Sequence, residues 1–100
     1  MIVYLSGPVT DNENYREQFT LVAQQLEARG HDVINPAELD CVVTEGVLSY
    51  EDYLEIDLLL LKKADMLVQL PGWEKSRGAN RELGFALGVG KGVCTLKELL

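Results

Sequence analysis

Four short runs rich in apolar and β-branched residues alternate along this chain with longer stretches of helical periodicity, and that alternation limits the fold more than any other feature. The runs are Ile2–Leu5, His31–Ile34, Met66–Leu70 and Val93–Leu96. Each of the first three is closed by a turn signal: Ser6-Gly7-Pro8, Asn35-Pro36 and Pro71-Gly72. Between them lie segments whose apolar residues return every three or four positions, as on one face of a helix that advances about 100° per residue. Strands separated by helices imply a parallel sheet with right-handed crossovers, because a helix must carry the chain back before the next strand runs the same way.

The first helical stretch, Asn12 to Arg29, places Tyr15, Phe19, Val22, Ala23 and Leu26 on one face, and Gly30 ends it. The second, Tyr50 to Lys63, carries Tyr50, Tyr53, Leu54, Leu58 and Leu61 at helical spacing, and the third runs from about Arg77 to Val89. The stretch from Ala37 to Ser49 has no clear period and reads as a long connection with room for one helical turn. Lys97 to Leu100 is a short tail. The expected architecture is α/β, a small three-layer Rossmann-like or flavodoxin-like parallel sheet of strand order 2-1-3-4. One hundred residues suffice for one core, so residues 1–100 are read as a single domain. In such sheets a ligand sits beyond the carboxyl ends of the strands, where successive connections leave in opposite directions. Here that means the loops after the first and third strands.

Two acids break the periodicity. Glu82 lies three residues after Ala79 and four before Ala86, within the stripe formed with Leu83 and Leu87. A carboxylate on a packing face costs several kcal/mol unless it is paired, hydrogen-bonded or used. Asp57 repeats the anomaly in the middle of the second helical stripe. Two inward acids near the expected switch point are candidates for paired acid and base work, and a structural ion-pair role stays open beside it.

The step Ser76-x-Gly78 opens the Glu82 helix, and the Ser6-Gly7-Pro8 turn closes the first strand. Backbone amides at either place can cradle an anion, and simple capping and tight turning explain the same residues. Trp73, in a loop beside the expected site, is a candidate for stacking on a flat ligand or for anchoring an interface. Tyr4 lies inside a strand, the wrong context for stacking.

The net charge of −7 disfavours a nucleic-acid polymer as partner, since the nine Lys and Arg are scattered. Cys41, Cys94 and His31 show no metal-ligand spacing, so no metal site is expected. No apolar stretch reaches the roughly 18 residues of a membrane span. Met1–Leu5 is short and lacks a basic lead, which reads as a strand and not as a signal peptide, and a cytoplasmic location is expected.

The combination of Tyr4-Leu5-Ser6-Gly7-Pro8, Asn35-Pro36-Ala37, Asp57 in an apolar helix, Ala64-Asp65, and Ser76-x-Gly78-x-x-x-Glu82-x-Gly84-x-Ala86 resembles the nucleoside 2-deoxyribosyltransferase superfamily. The similarity runs over essentially the whole chain and is nearest to a short bacterial and phage branch. It extends to the 2′-deoxynucleoside 5′-monophosphate N-glycosidases. The resemblance implies that Glu82 is the nucleophile at the anomeric carbon and that Asp57 handles the proton or hydrogen-bonds the leaving base and sugar. It implies that Ser76 and the Ser6-Gly7 turn hold a 5′-phosphate where one is present, with Pro8, Gly78 and Trp73 around the substrate. It further implies a nucleoside or nucleotide as ligand, no organic or metal cofactor, and a homodimer or higher homo-oligomer. A non-catalytic nucleotide-binding module in the same cleft, and an interaction protein with structural acids, are the alternatives.

Overall fold

A computed structural model describes residues 1–100. In chain order the elements are β1 (Ile2–Ser6), α1 (Tyr15–Glu27), β2 (Asp32–Ile34), a 3₁₀ segment (Pro36–Cys41), α2 (Tyr50–Lys62), β3 (Met66–Gln69), a 3₁₀ turn (Trp73–Lys75), α3 (Arg77–Gly88), β4 (Gly92–Thr95) and α4 (Leu96–Leu99). All strand pairs are parallel and the order across the sheet is β2-β1-β3-β4, the expected flavodoxin-like arrangement.

Side chains alternate across each strand, so the register decides what each face holds. Tyr4 lies opposite Ile34 on one side and Leu67 on the other, and Ser6 lies opposite Gln69. Val3, Leu5, Val68 and Leu70 point to one face, where Phe19, Val22, Ala23 and Leu26 of α1 cover them and Leu96 and Leu99 of α4 add to the packing. Tyr4 and Leu67 point to the other face, under Leu61, Ala64 and Ala86. A parallel sheet needs both faces covered, and β1 and β3, the two central strands, are almost wholly buried.

The boundaries differ from expectation for local reasons. β1 continues through Ser6, because the Leu70 amide donates to the Ser6 carbonyl at 2.8 Å and extends the ladder past Leu5. The first helix begins at Tyr15 and not Asn12. The Asn12 side-chain Nδ2 donates to the Pro8 carbonyl at 3.0 Å, and Asp11 just before it has φ of 60°. The long connection contains a 3₁₀ segment started by Asn35, whose side chain accepts from the Ala37 amide at 3.0 Å. A capping box of Ser49 and Asp52 begins α2. A second, of Thr95 and Glu98, turns the expected tail into α4 and ends β4 at Thr95.

Candidate active site

The chain leaves β1 toward β2 and leaves β3 toward β4, so the two central strands part at their carboxyl ends. Over that point opens a cleft of about 560 Å³. The β1 loop, the 3₁₀ segment after β2, the first half of α2 and the start of α3 form its walls.

Glu82 reaches the cleft from α3. Ser76 caps that helix by accepting from the Ala79 amide at 3.1 Å, which sets the register that turns Ala79, Glu82 and Ala86 to the sheet. Glu82 is only 6% exposed. Its Oε1 accepts from the Ser6 hydroxyl at 2.7 Å and its Oε2 accepts from the Tyr4 hydroxyl. Tyr4 and Ser6 are two apart on one strand, so both hydroxyls project to the face that α3 covers. Burial pushes the Glu82 carboxyl up from its ordinary value, while the bonds from Tyr4 and Ser6 pull it back down. The Tyr4 phenol is held well above its usual value, by burial first and then by the charges of Glu82 and Asp57. It therefore stays protonated and remains a donor. Leu87, expected on the same stripe, is instead 63% exposed, because the face that packs is narrower than the periodicity implied.

Asp57 lines the cleft from α2. Burial raises its carboxyl to about 8, with the charges of Glu82 and Asp40 adding to the effect. Its Oδ1 is buried and has no hydrogen-bond partner in the protein. At neutral pH this acid is mainly protonated and its neighbour Glu82 has two dedicated donors. Burial raises both carboxyls, but only Glu82 has donors that pull it back, an asymmetry that suits Asp57 to an acid's part and Glu82 to a nucleophile's.

The start of α3 contributes positive charge. Lys75, Ser76, Arg77 and Gly78 line the cleft, and no acidic residue occupies the first turn of the helix. Cations at the positive end of a helix are unfavourable in isolation, and here they sit in a chain of net charge −7. The Arg77 guanidinium lies 5.6 Å from the centre of the Tyr50 ring, as does that of Arg81, which also pairs with Glu51 at 3.1 Å. With the first free amides of α3, this corner suits an anion.

Of the residues expected at a site, Gly7, Pro8, Asp57, Ser76, Gly78 and Glu82 line this one cleft. Ser6 lies beneath it, with its hydroxyl on Glu82 and its side chain 1% exposed, so the expected contact with a ligand is replaced by a contact with the carboxylate. Trp73 is half-buried in its 3₁₀ turn and does not line the cleft. Gly7 is needed for close approach, since a Cβ there would lie 2.9 Å from Leu70 Cβ. Gly78 has room, its nearest neighbour being the Tyr50 hydroxyl at 3.7 Å. Sequence reading missed the part of Tyr4, although two polar side chains at alternate positions of a buried strand were a usable signal. It also passed over Asp40 and Arg77, whereas Tyr50 and Tyr53, open from the sequence to either a core or a stacking role, line the cleft from α2. No three His, Cys, Asp or Glu side chains converge as metal ligands, and no helix is long and apolar enough to cross a membrane.

Residues 1–95 match the profile of a domain of unknown function, DUF4406. No curated protein matches the chain in sequence. Among solved structures, the 2-deoxyribosyltransferase of Bacillus psychrosaccharolyticus is similar, with a TM-score of 0.74 and 27% identity. That match covers 95% of this chain and 71% of the enzyme. A 2-deoxyribosyltransferase from Leishmania mexicana shares the fold at a TM-score of 0.71 and 19% identity, over 94% of this chain and 62% of that one. The CMP N-glycosidase of Clostridium botulinum shares it at 0.66 and 22%, over 95% and 70%.

Proposed function

The chain belongs to DUF4406, and we propose that it is an enzyme that cleaves or transfers the N-glycosidic bond of a nucleoside 5′-monophosphate. The observation that carries this reading is the state of Glu82: a buried carboxylate at the switch point, with both oxygens hydrogen-bonded by strand hydroxyls. The likeness to a 2-deoxyribosyltransferase at 27% identity supports the reaction class.

Glu82 attacks the anomeric carbon as the bond to the base breaks. The electron pair of the C–N bond passes to the base, and Asp57 delivers the proton that makes the base a neutral leaving group. A carboxylate has about four lone-pair sites, so the bonds from Tyr4 and Ser6 leave about two, one of which can attack. The sugar is then an ester of Glu82, and Asp57 is a carboxylate. Water that gives its proton to Asp57 releases the sugar, whereas a second base in the same position gives transfer, as with the paired carboxyls of retaining glycosidases. The 5′-phosphate is assigned to the corner formed by Arg77, Lys75 and the α3 amides. Those cations face the cleft, and their position against the helix dipole is offset when an anion binds.

The test is release of free base from a panel of nucleosides and their 5′-monophosphates, each with and without an acceptor base. Wild-type protein should act on the monophosphates, and Glu82→Ala should not. Turnover that survives in Glu82→Ala would sink the assignment.

A further inference from the structure

The order of the strands fixes which end of the cleft meets the base. Across the sheet the sequence is β2, β1, β3, with neighbouring strands roughly 5 Å apart. Glu82 is bound to Tyr4 and Ser6 on the middle strand. The cationic corner follows β3, on one side of it. If the phosphate lies on the β3 side and the anomeric carbon lies over Glu82, the base extends toward the loop that follows β2. This orientation rests on the reading given above for the phosphate.

That loop is the 3₁₀ segment, and the group it offers to the cleft is Asp40. Asn35 caps the segment, Pro36 occupies its first turn and Ala37 is buried, so the backbone that carries Asp40 is held firmly. One carboxylate oxygen, Oδ2, faces the Arg16 guanidinium at 3.5 Å. Arg16 is itself held by Tyr15, its Nε donating to the Tyr15 hydroxyl at 3.3 Å. The Asp40 side chain is mostly covered, at 22% exposure, while Arg16 is 60% exposed. Oδ1 takes no part in this pair. Asp40, Tyr53 and Asp57 line one stretch of wall. The Tyr53 phenol is raised by burial first, then by the Asp40 charge and a hydrogen bond to that carboxylate, which a base amine would share or displace. Phe19 and Tyr15, packed edge to face, line the same cleft and give a ring a surface to lie on.

An ionised carboxylate only accepts hydrogen bonds. Cytosine and adenine present an exocyclic amine at the position where uracil and hypoxanthine present a carbonyl oxygen, and the ring shapes are otherwise the same. A carboxylate facing that position attracts the amine and repels the carbonyl. A site built around such a bond disfavours the analogue that lacks the donor, because its carbonyl oxygen then faces the carboxylate with no hydrogen between them. We propose that Asp40 reads the exocyclic amine of the base, so that the cleft takes cytosine and adenine nucleotides in preference to their uracil and hypoxanthine counterparts.

Binding is the readout, so that the result does not depend on turnover. Calorimetric titration of Glu82→Gln with the deoxynucleoside 5′-monophosphates of cytosine, uracil, adenine and hypoxanthine should show each amino base bound roughly tenfold or more tighter than its oxo partner. Adding Asp40→Asn, whose amide both donates and accepts, should bring each pair to within a few-fold. Because the Arg16 partner of Asp40 is exposed, this change should leave the fold intact, and Asp40→Ala provides a second variant whose melting temperature and nucleotide binding are read together. Equal binding of the paired bases by Glu82→Gln would overturn the proposal. So would an Asp40→Asn change that weakens all four nucleotides alike. Absence of base release from wild-type protein, with the amine preference intact, would instead overturn the catalytic reading and leave this one standing.

Discussion

Tyr4 and Glu82, 78 positions apart in sequence, are joined by a buried hydrogen bond from the phenol to the carboxylate. The bond ties the first strand to the third long helix at the point where the sheet divides. It also keeps Glu82 an acceptor, since the Tyr4 phenol does not ionise in the working pH range. The carboxylate is thereby oriented, and the effect of its burial partly offset, without any cationic partner.

Replacing Glu82 separates chemistry from folding. Glu82→Gln keeps volume and an acceptor for one hydroxyl, and its base release should fall roughly 10⁴-fold or more with little change in melting temperature. Glu82→Ala leaves the Tyr4 and Ser6 hydroxyls without their acceptor, a loss of about 1–3 kcal/mol for each group. Steady-state base release and thermal unfolding of both variants check this.

Tyr4→Phe removes one of the two donors that pull the Glu82 carboxyl down. Its pKa then rises, so a smaller fraction is ionised at mildly acidic pH. The acidic limb of the pH–rate profile should move to higher pH, and stability should drop by about 1 kcal/mol. An unmoved acidic limb would show that Glu82 ionisation does not depend on this bond.

In the proposed reaction Asp57 sets the opposite limb. With its carboxyl raised to about 8, the proton needed by the leaving base is lost as pH climbs through that value, and the rate falls with it. The same shift acts on stability. Between the ordinary carboxylate range and about pH 8 the folded protein holds a proton that the unfolded chain has released, so stability declines as pH rises across that window. Glu82, also raised, contributes in the same direction. Asp57→Asn should abolish the alkaline limb with the activity and should lessen the decline of melting temperature between pH 5 and pH 8. A decline equal to that of wild type would exclude Asp57 as its source.

Arg77→Ala tests the anionic corner. The KM for a 5′-monophosphate should rise about tenfold, the order expected for loss of one hydrogen bond to a charged group. The KM for the matching nucleoside should not change. An equal effect on both would remove the phosphate from this corner.

Two glycines give opposite outcomes. Gly7→Ala forces a Cβ to 2.9 Å from Leu70 Cβ, where two strand ends meet, and should cost about 1–3 kcal/mol. Gly84→Ala meets nothing within 4 Å on an exposed side of α3, and should stabilise by about 0.5–1 kcal/mol. Urea denaturation of both variants reads the difference directly.

The fold was legible because parallel strands and their crossover helices have distinct periods, and the Gly and Pro punctuation marks the changes. Glu82 and Asp57 were legible as exceptions to those periods. Partnerships across the chain were not. Nothing near Tyr4 or Ser6 announces a carboxylate 76 or 78 positions away, and only the docking of α3 on β1 brings them together. Asp40 was hidden for another reason: a six-residue 3₁₀ segment shows too few turns for any periodicity to emerge. Trp73 was singled out by residue type and loop position, and it does not line the cleft, although Lys75 of the same turn does.

The separation between β1 and α3 sets an order of events during synthesis. At about 5–20 residues per second, seconds pass between the emergence of Ser6 and that of Glu82. Until α3 has emerged and docked, the chain has the hydroxyls but not the carboxylate they bind. A ribosome-bound intermediate that holds only the first crossover therefore lacks the proposed site, which is assembled only when the third long helix closes over the strand that was made first.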